Sequence, residues 1–345
     1  METTATFCAL VPPYILDKLA QSDDPAVREP AKRTLERDAV LRTQPGESSL
    51  RAAGTLSGRP DRTIFDAQHK VTMPGTKVHA ESDRPSKDKA VNYAHAGLGA
   101  AYEFYLKVYG RESIDGGGLP LEATVHYGDQ YGNAFWNGQQ VVLGDGMGDI
   151  FADFTVPVDV IGHALTHGVM QHSSDLEYSG QSGALRESIS DVFGSLIKQY
   201  ALGQTADQAD WLIGAGLLGP AVRGSALRSL KAPGTAYDDP RIGKDPQPAT
   251  RDNYVRTSRD NGGVHINSGI PNHAFYQLAT TLGGHAWERA GEIWYATLTG
   301  GELASDADFA EFARLTCATT RRLYDEGDEI QALLKAWSTV GVPAT

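Results

Sequence analysis

Cysteine is nearly absent from this chain of 345 residues. Cys8 and Cys317 are the only two, enough for one bridge at most, which excludes a disulfide-stapled scaffold. Basic charge is also short: 31 Lys and Arg stand against 43 Asp and Glu, a formal net charge of −12. Such a surface repels phosphate backbones and anionic lipid, so neither nucleic acid nor a membrane is an expected partner. No apolar run approaches the roughly 20 residues of a membrane-spanning helix. The longest candidate, Trp211 to Val222, carries three glycines and a proline. The opening METTATFCALVPPYILDKLA lacks the basic start and long apolar stretch of an ordinary secretory signal. That leaves a cytoplasmic location, or export by another route. Internal repeats and low-complexity tracts are missing too.

What remains is an ordinary globular composition, 41% hydrophobic and 21% charged. Residues 1–43 form a distinct opening, with a helical pattern over Ala26–Arg42 that puts Val27, Leu35 and Leu41 on one face around an unfavourable Pro30. Gln44 to Arg62 is polar and turn-rich, the texture of a cleavable linker. From Arg62 the pattern is strand-like (123–127, 133–137, 139–145), broken by one helix over Ser86–Tyr109. After Phe154 it becomes helical. Thr155 and Pro157 are expected to cap and open a helix reaching His172. Further helices are expected over Ser182–Leu202 and near 268–283, 285–299, 306–324 and 328–338. The division is thus 1–50, a β-rich lobe over 51–154 and an α-helical lobe over 155–345. This is an α+β fold with a cleft between two lobes.

His163 and His167 stand four apart on the expected helix, so both imidazoles leave one face, a spacing suited to two ligands of one zinc ion. Glu187 falls in the apolar setting of the next helix, and Asp191 lies one turn later on the same face. A carboxylate ligand, with a second carboxylate orienting a ligand histidine, is the usual arrangement around catalytic zinc. A buried carboxylate needs such a partner.

GHALTHGVMQ followed by GALRESISDVFG resembles the thermolysin family, whose pattern is HExxH with a downstream glutamate. NAFWNG, ALRSL and DNGGVHINSGIPN fit in the same order, and the resemblance spans about residues 62–345. It implies a zinc metalloendopeptidase with the two-lobed thermolysin-like fold, acting on peptides and proteins, with His163, His167 and Glu187 as zinc ligands. The glutamate that serves as general base is replaced by Ala164, and a methyl group accepts no proton. Tyr178 and His265 match the family's oxyanion donors, with Asp260 orienting the imidazole. Asn133 and Ala134 match the edge that pairs with extended substrate, and Arg228 matches a residue that holds a substrate carbonyl. Phe151, Phe154, Val160, Ile213 and Leu227 would line a pocket for a bulky hydrophobic residue after the cut bond.

Two departures stand out. Arg186 replaces the asparagine usual before the ligand glutamate. The family's paired calcium site keeps Asp159 and Asp210 but has Lys198, Leu212 and Ala215 in other ligand places. That pair of ions is therefore expected to be absent. CALVPPYILDKLA resembles the short propeptide of the protealysin-like branch, which implies that residues 1–50 act as an intramolecular inhibitor. Cys8 has a thiol able to reach zinc, although a packed or exposed cysteine is the commoner case. Ala164 has two readings, an engineered knockout or a natural pseudopeptidase that binds peptides on a zinc-stabilised site. The retained Tyr178, Asp260 and His265 favour the first.

Overall fold

The structure is a computed structural model and describes residues 7–43, 54 and 56–344. Most of the expected linker, 44–53 and 55, lies outside the described residues. The elements run β1 (Cys8–Ala9), α1 (Pro13–Leu19), α2 (Pro25–Thr43), β2 (Arg62–Asp66), β3 (Thr76–Ala80), α3 (Lys89–Tyr109), β4 (Leu121–Val125), β5 (Ala134–Trp136) and β6 (Val141–Leu143). Then come α4 (Val158–Gln171), α5 (Gly180–Leu202), β7 (Leu212–Ile213), β8 (Arg228–Ser229), β9 (Asp238–Asp239) and β10 (Gly243–Lys244). Last come α6 (Asp260–Asn267), α7 (Gly269–Leu282), α8 (Arg289–Thr299), α9 (Phe309–Tyr324) and α10 (Asp328–Thr339). A sheet-rich N-terminal part and a helical C-terminal part follow one another, as the sequence implies.

The main sheet has the order β1-β5-β6-β4-β2-β3. β2, β4 and β6 are parallel and β5 runs against β6. The sheet's far edge is β1, from the opening segment, antiparallel to β5 with Cys8 opposite Trp136 and Ala9 opposite Phe135. Residues 8 and 9 of the opening segment are thus part of the main sheet. On α2 the expected stripe holds in part, with Leu41 buried and Val27 and Leu35 packed part-buried against the core. The buried face is Pro30, Ala31, Thr34, Asp38 and Leu41, and it is partly polar because its partners are polar. Tyr131 donates to Asp38 Oδ1 at 2.5 Å, Asn133 donates to Asp38 Oδ2 at 3.1 Å, and Gly132 N–H donates to Thr34.

Asp88 caps α3 through Ala90 N–H, and α3 ends in a left-handed glycine, Gly110. The expected cap at Thr155 is not formed. α4 begins after Pro157 without a side-chain cap, while the Thr155 hydroxyl donates to Asp153. α4 and α5 form the buried centre, and two glycines set their distance. A Cβ on Gly162 would lie 3.2 Å from Gly194 Cα, and one on Gly194 would lie 2.7 Å from Asp159 O. Without side chains at this crossing the helices approach closely enough for their polar residues to meet.

Candidate active site

Where α4 meets α5, the ring nitrogens and carboxylate oxygens converge. His163 Nε2 and His167 Nε2 are 3.2 Å apart. Glu187 Oε1 is 3.4 Å from His167 Nε2, and Glu187 Oε2 is 3.6 Å from His163 Nε2. All three side chains are buried, and Glu187 Oε2 has no hydrogen-bond partner. Burial favours the neutral Glu187 carboxyl, but His265, His167 and His163 around it hold it well below the usual carboxylate range. Four-coordinate zinc with bonds of about 2.0–2.1 Å spaces its ligands by roughly 3.3 Å. The donor atoms fit that ion, and a buried carboxylate oxygen without a donor fits the same purpose.

The orientation of these donors is fixed from behind. His163 Nδ1 lies 2.9 Å from Asp191 Oδ1, which directs Nε2 toward Glu187 and His167. Burial opposes ionisation of Asp191, but Arg228 and His163 outweigh it and bring its pKa down to about 2. Arg228 donates twice to Asp191, at 2.8 Å from Nε and from Nη2, and Asn272 donates to Oδ2 at 2.9 Å. The Arg228–Asp191 fork and Asn272 escaped the sequence reading. Asn272 lies inside the DNGGVHINSGIPN stretch that carried the resemblance, but nothing in its spacing announces an acceptor on another helix.

Tyr178 O–H donates to Glu187 Oε1 at 2.6 Å and is 3.4 Å from His265 Nε2. His265 Nδ1 lies 2.6 Å from Asp260 Oδ1, and its backbone N–H donates to Asp260 Oδ2. Burial disfavours the imidazolium, but Asp260 and Glu187 outweigh it, pushing the pKa of His265 up to about 9. The start of α6 is left-handed from Asp260 through Gly263. A Cβ on Gly263 would lie 2.9 Å from Asn267 Nδ2, so glycine is required there for room as well as for φ.

The opening segment crosses this site. Ala9 O accepts from His265 Nε2 at 2.8 Å. Leu10 N–H donates to Ala134 O at 2.9 Å, and Leu10 O accepts from Arg228 Nη1 at 2.9 Å. Val11 N–H donates to Asn133 Oδ1, and Asn133 Nδ2 returns a bond to Val11 O. Leu10 is buried, and so are Phe151, Phe154, Val160, Ile213 and Leu227, all of them part of the main core. Cys8 is buried, and its sulfur and donor atoms of His167 and Glu187 all lie within 4.8 Å of one another. A packed cysteine is what the sequence makes the commoner case, and here the packing sets its sulfur beside two of the expected metal ligands. Arg186 lies across the Tyr178 ring and donates to Leu176 O. Ala164, also buried, follows His163 on α4. Between the opening segment and residues 242–266 the cleft keeps a cavity of about 710 Å³, bordered by Tyr178, Asp260 and His265.

Away from the cleft floor, Lys198 Nζ lies 2.8 Å from both Asp159 Oδ2 and Asp210 Oδ1 and donates to Leu212 O at 2.7 Å. Burial works against the ammonium, but the two carboxylates outweigh it and raise its pKa.

A sheet-rich part and a helical part, with such a donor set on α4 and α5 and a strand of the same chain laid over it, have the form of a metallohydrolase precursor. Residues 43–171 match the catalytic domain of the thermolysin metallopeptidases and residues 174–342 match their alpha-helical domain. The chain belongs to the thermolysin metallopeptidase family, whose members are zinc-dependent hydrolases. It is 49% identical over 343 residues to an extracellular metalloprotease of Pectobacterium carotovorum subsp. carotovorum, covering 97% of this chain and 96% of that one. It is 46% identical to protease PrtS of a Photorhabdus species, over 96% of this chain and 91% of that one. The precursor of protealysin, a metalloproteinase from Serratia proteamaculans, superposes with a TM-score of 0.90 at 48% identity, covering 97% of this chain and 99% of that one. Among the described residues no helix is long and apolar enough to cross a membrane.

Proposed function

We propose that this chain is the latent precursor of a zinc endopeptidase, held shut by its own residues 7–43 and deprived of its general base at Ala164. The observation that carries the reading is the path of residues 9–11. Their backbone takes up the groups of Ala134, Asn133, Arg228 and His265 that would grip an extended peptide, by the strand-addition mode. In this reading the Ala9–Leu10 bond occupies the place of the bond to be cut. Leu10 fills the apolar pocket, so substrates are cut before bulky hydrophobic residues. Residues 1–50 are the prosegment and linker, with lobes over 51–154 and 155–345. The extracellular naming of a relative supports release of the enzyme from the cell.

His163, His167 and Glu187 would hold the zinc, which when bound polarises a substrate carbonyl and acidifies a water. The chain's own residues do the rest. Asp191 fixes the His163 tautomer and braces Arg228, so ligand geometry and substrate grip share one carboxylate. His265, charged and oriented by Asp260, donates with Tyr178 where negative charge grows on the carbonyl oxygen. A residue at position 164 should take the water's proton and return it to the leaving amine. Alanine does neither. In the precursor, the Cys8 sulfur, close to donor atoms of His167 and Glu187, would offer the ion a further donor from the chain itself.

Lys198, bridging Asp159 and Asp210, replaces the paired calcium ions of the family by a salt bridge. The ligand set is tested by metal analysis of the chain purified without chelator. We expect about one zinc per chain, lost in His167→Ala. A folded chain that takes up no zinc contradicts the set.

A further inference from the structure

Three parallel strands, β2, β4 and β6, end side by side, and just beyond their C-terminal ends stand His69, His126 and Asp145. This end of the sheet shares no residue with the cluster of Cys8, His167 and Glu187 in the cleft. His126 Nδ1 lies 2.8 Å from Asp145 Oδ1, and His69 Nδ1 lies 3.2 Å from Asp145 Oδ2. Donor atoms of all three residues fall within 4.8 Å of one another. The other nitrogen of His126, Nε2, is 2.8 Å from Asp88 Oδ2. Asp88 is held in turn, because its Oδ1 caps α3 through Ala90 N–H.

We infer that His69, His126 and Asp145 form a second, non-catalytic site for a divalent transition ion of the zinc class, with Asp88 orienting His126. Two imidazoles and one carboxylate form a donor set that suits zinc and its neighbours, whereas calcium and magnesium ask for oxygen throughout. A ligand histidine usually passes its second N–H to a carboxylate, and the His126–Asp88 bond has that form. His69 is the exposed arm and Asp145 and His126 are part-buried, so water can complete the coordination.

The backbone is committed to this convergence. Gln68, His69 and His126 all adopt left-handed conformations at φ of 55°, 59° and 53°, and His69 N–H donates to His126 O at 2.9 Å. The same turn supports the prosegment. Arg37 of α2 donates to Val71 O and to the Tyr127 hydroxyl, next to His69 and His126 in the chain. An ion here would tie the 67–71 turn to the strand ends and stiffen the surface on which α2 lands.

The test uses the full chain without a polyhistidine tag, carrying its cleft zinc and desalted, then dialysed against Zn²⁺. We expect one further zinc per chain and an unfolding temperature that rises with its uptake. His69→Ala, whose side chain is mostly exposed, should weaken the second ion at least tenfold and leave the first. Asp88→Asn retains a capping oxygen but loses the acceptor for His126, and should weaken it roughly 10- to 100-fold. Calcium should not compete. Failure to take up a further ion, or uptake as tight in His69→Ala as in the original chain, overturns the assignment. The first zinc is counted in the same measurement, so loss of this site and loss of the cleft site are read separately.

Discussion

Among single residues, Asp38 makes the sharpest statement about latency. Its carboxylate is nearly out of water, and burial raises its pKa to about 6 even though Tyr131, Arg42 and Asn133 pull it down. A folded pKa above the unfolded value of about 3.9 means the folded protein holds the proton more tightly between the two. This contribution to stability is present at low pH and is lost as pH rises from about 4 through 6. At most it amounts to about 3 kcal/mol. Thermal unfolding of the precursor compared with Asp38→Asn should show that difference shrinking with pH across this window. A constant difference from pH 4 to 7 would remove Asp38 from the account. Cys8 offers a second residue-level check. With cobalt in place of zinc, the precursor should show a thiolate-to-cobalt absorption that Cys8→Ser lacks. Identical spectra would mean that the sulfur does not reach the ion.

At the scale of elements, the α4–α5 pair is where the sequence was most legible. His163 and His167 are one turn apart, Glu187 and Asp191 are one turn apart, and helical periodicity alone puts each pair on one face. Lengths and positions of α3, α5, α9 and α10 followed from pattern for the same reason. β1 did not. Two residues show no period, and their partners, Trp136 and Phe135, lie far along the chain. The polar face of α2 was missed because Thr34 and Asp38 look solvent-facing until Tyr131 and Asn133 meet them. The left-handed opening of α6 hides behind a glycine pair that a sequence reads only as a loop. Lys198 was legible as a cation in an acidic place, and its two carboxylate partners determine what it does. Lys198→Met should cost about 3–5 kcal/mol, because Asp159 would remain buried without its cation. Millimolar calcium should leave the unfolding temperature of the zinc-loaded protein nearly unchanged. A rise of many degrees, abolished by Asp159→Asn, would show that the ions still bind.

For the whole molecule, the prosegment supplies an edge strand, an apolar side chain and a sulfur to the cleft, and α2 anchors them from outside. Cutting the linker between Gln44 and Arg62 would leave β5 as an open edge and Asn133, Arg228 and His265 free for substrate. Mass spectrometry of processed protein should place the new N-terminus in that stretch, and a cut inside 62–154 would overturn the division. In the function proposed, position 164 is the one place in the cleft that lacks its working group. The most direct measurement is therefore peptide cleavage by the chain as written and by Ala164→Glu, both after the linker is cut. A general base contributes about 10²–10⁴ in rate. The account predicts a gain of at least that order in Ala164→Glu, with cleavage before bulky hydrophobic residues. Equal rates in the two proteins would contradict it.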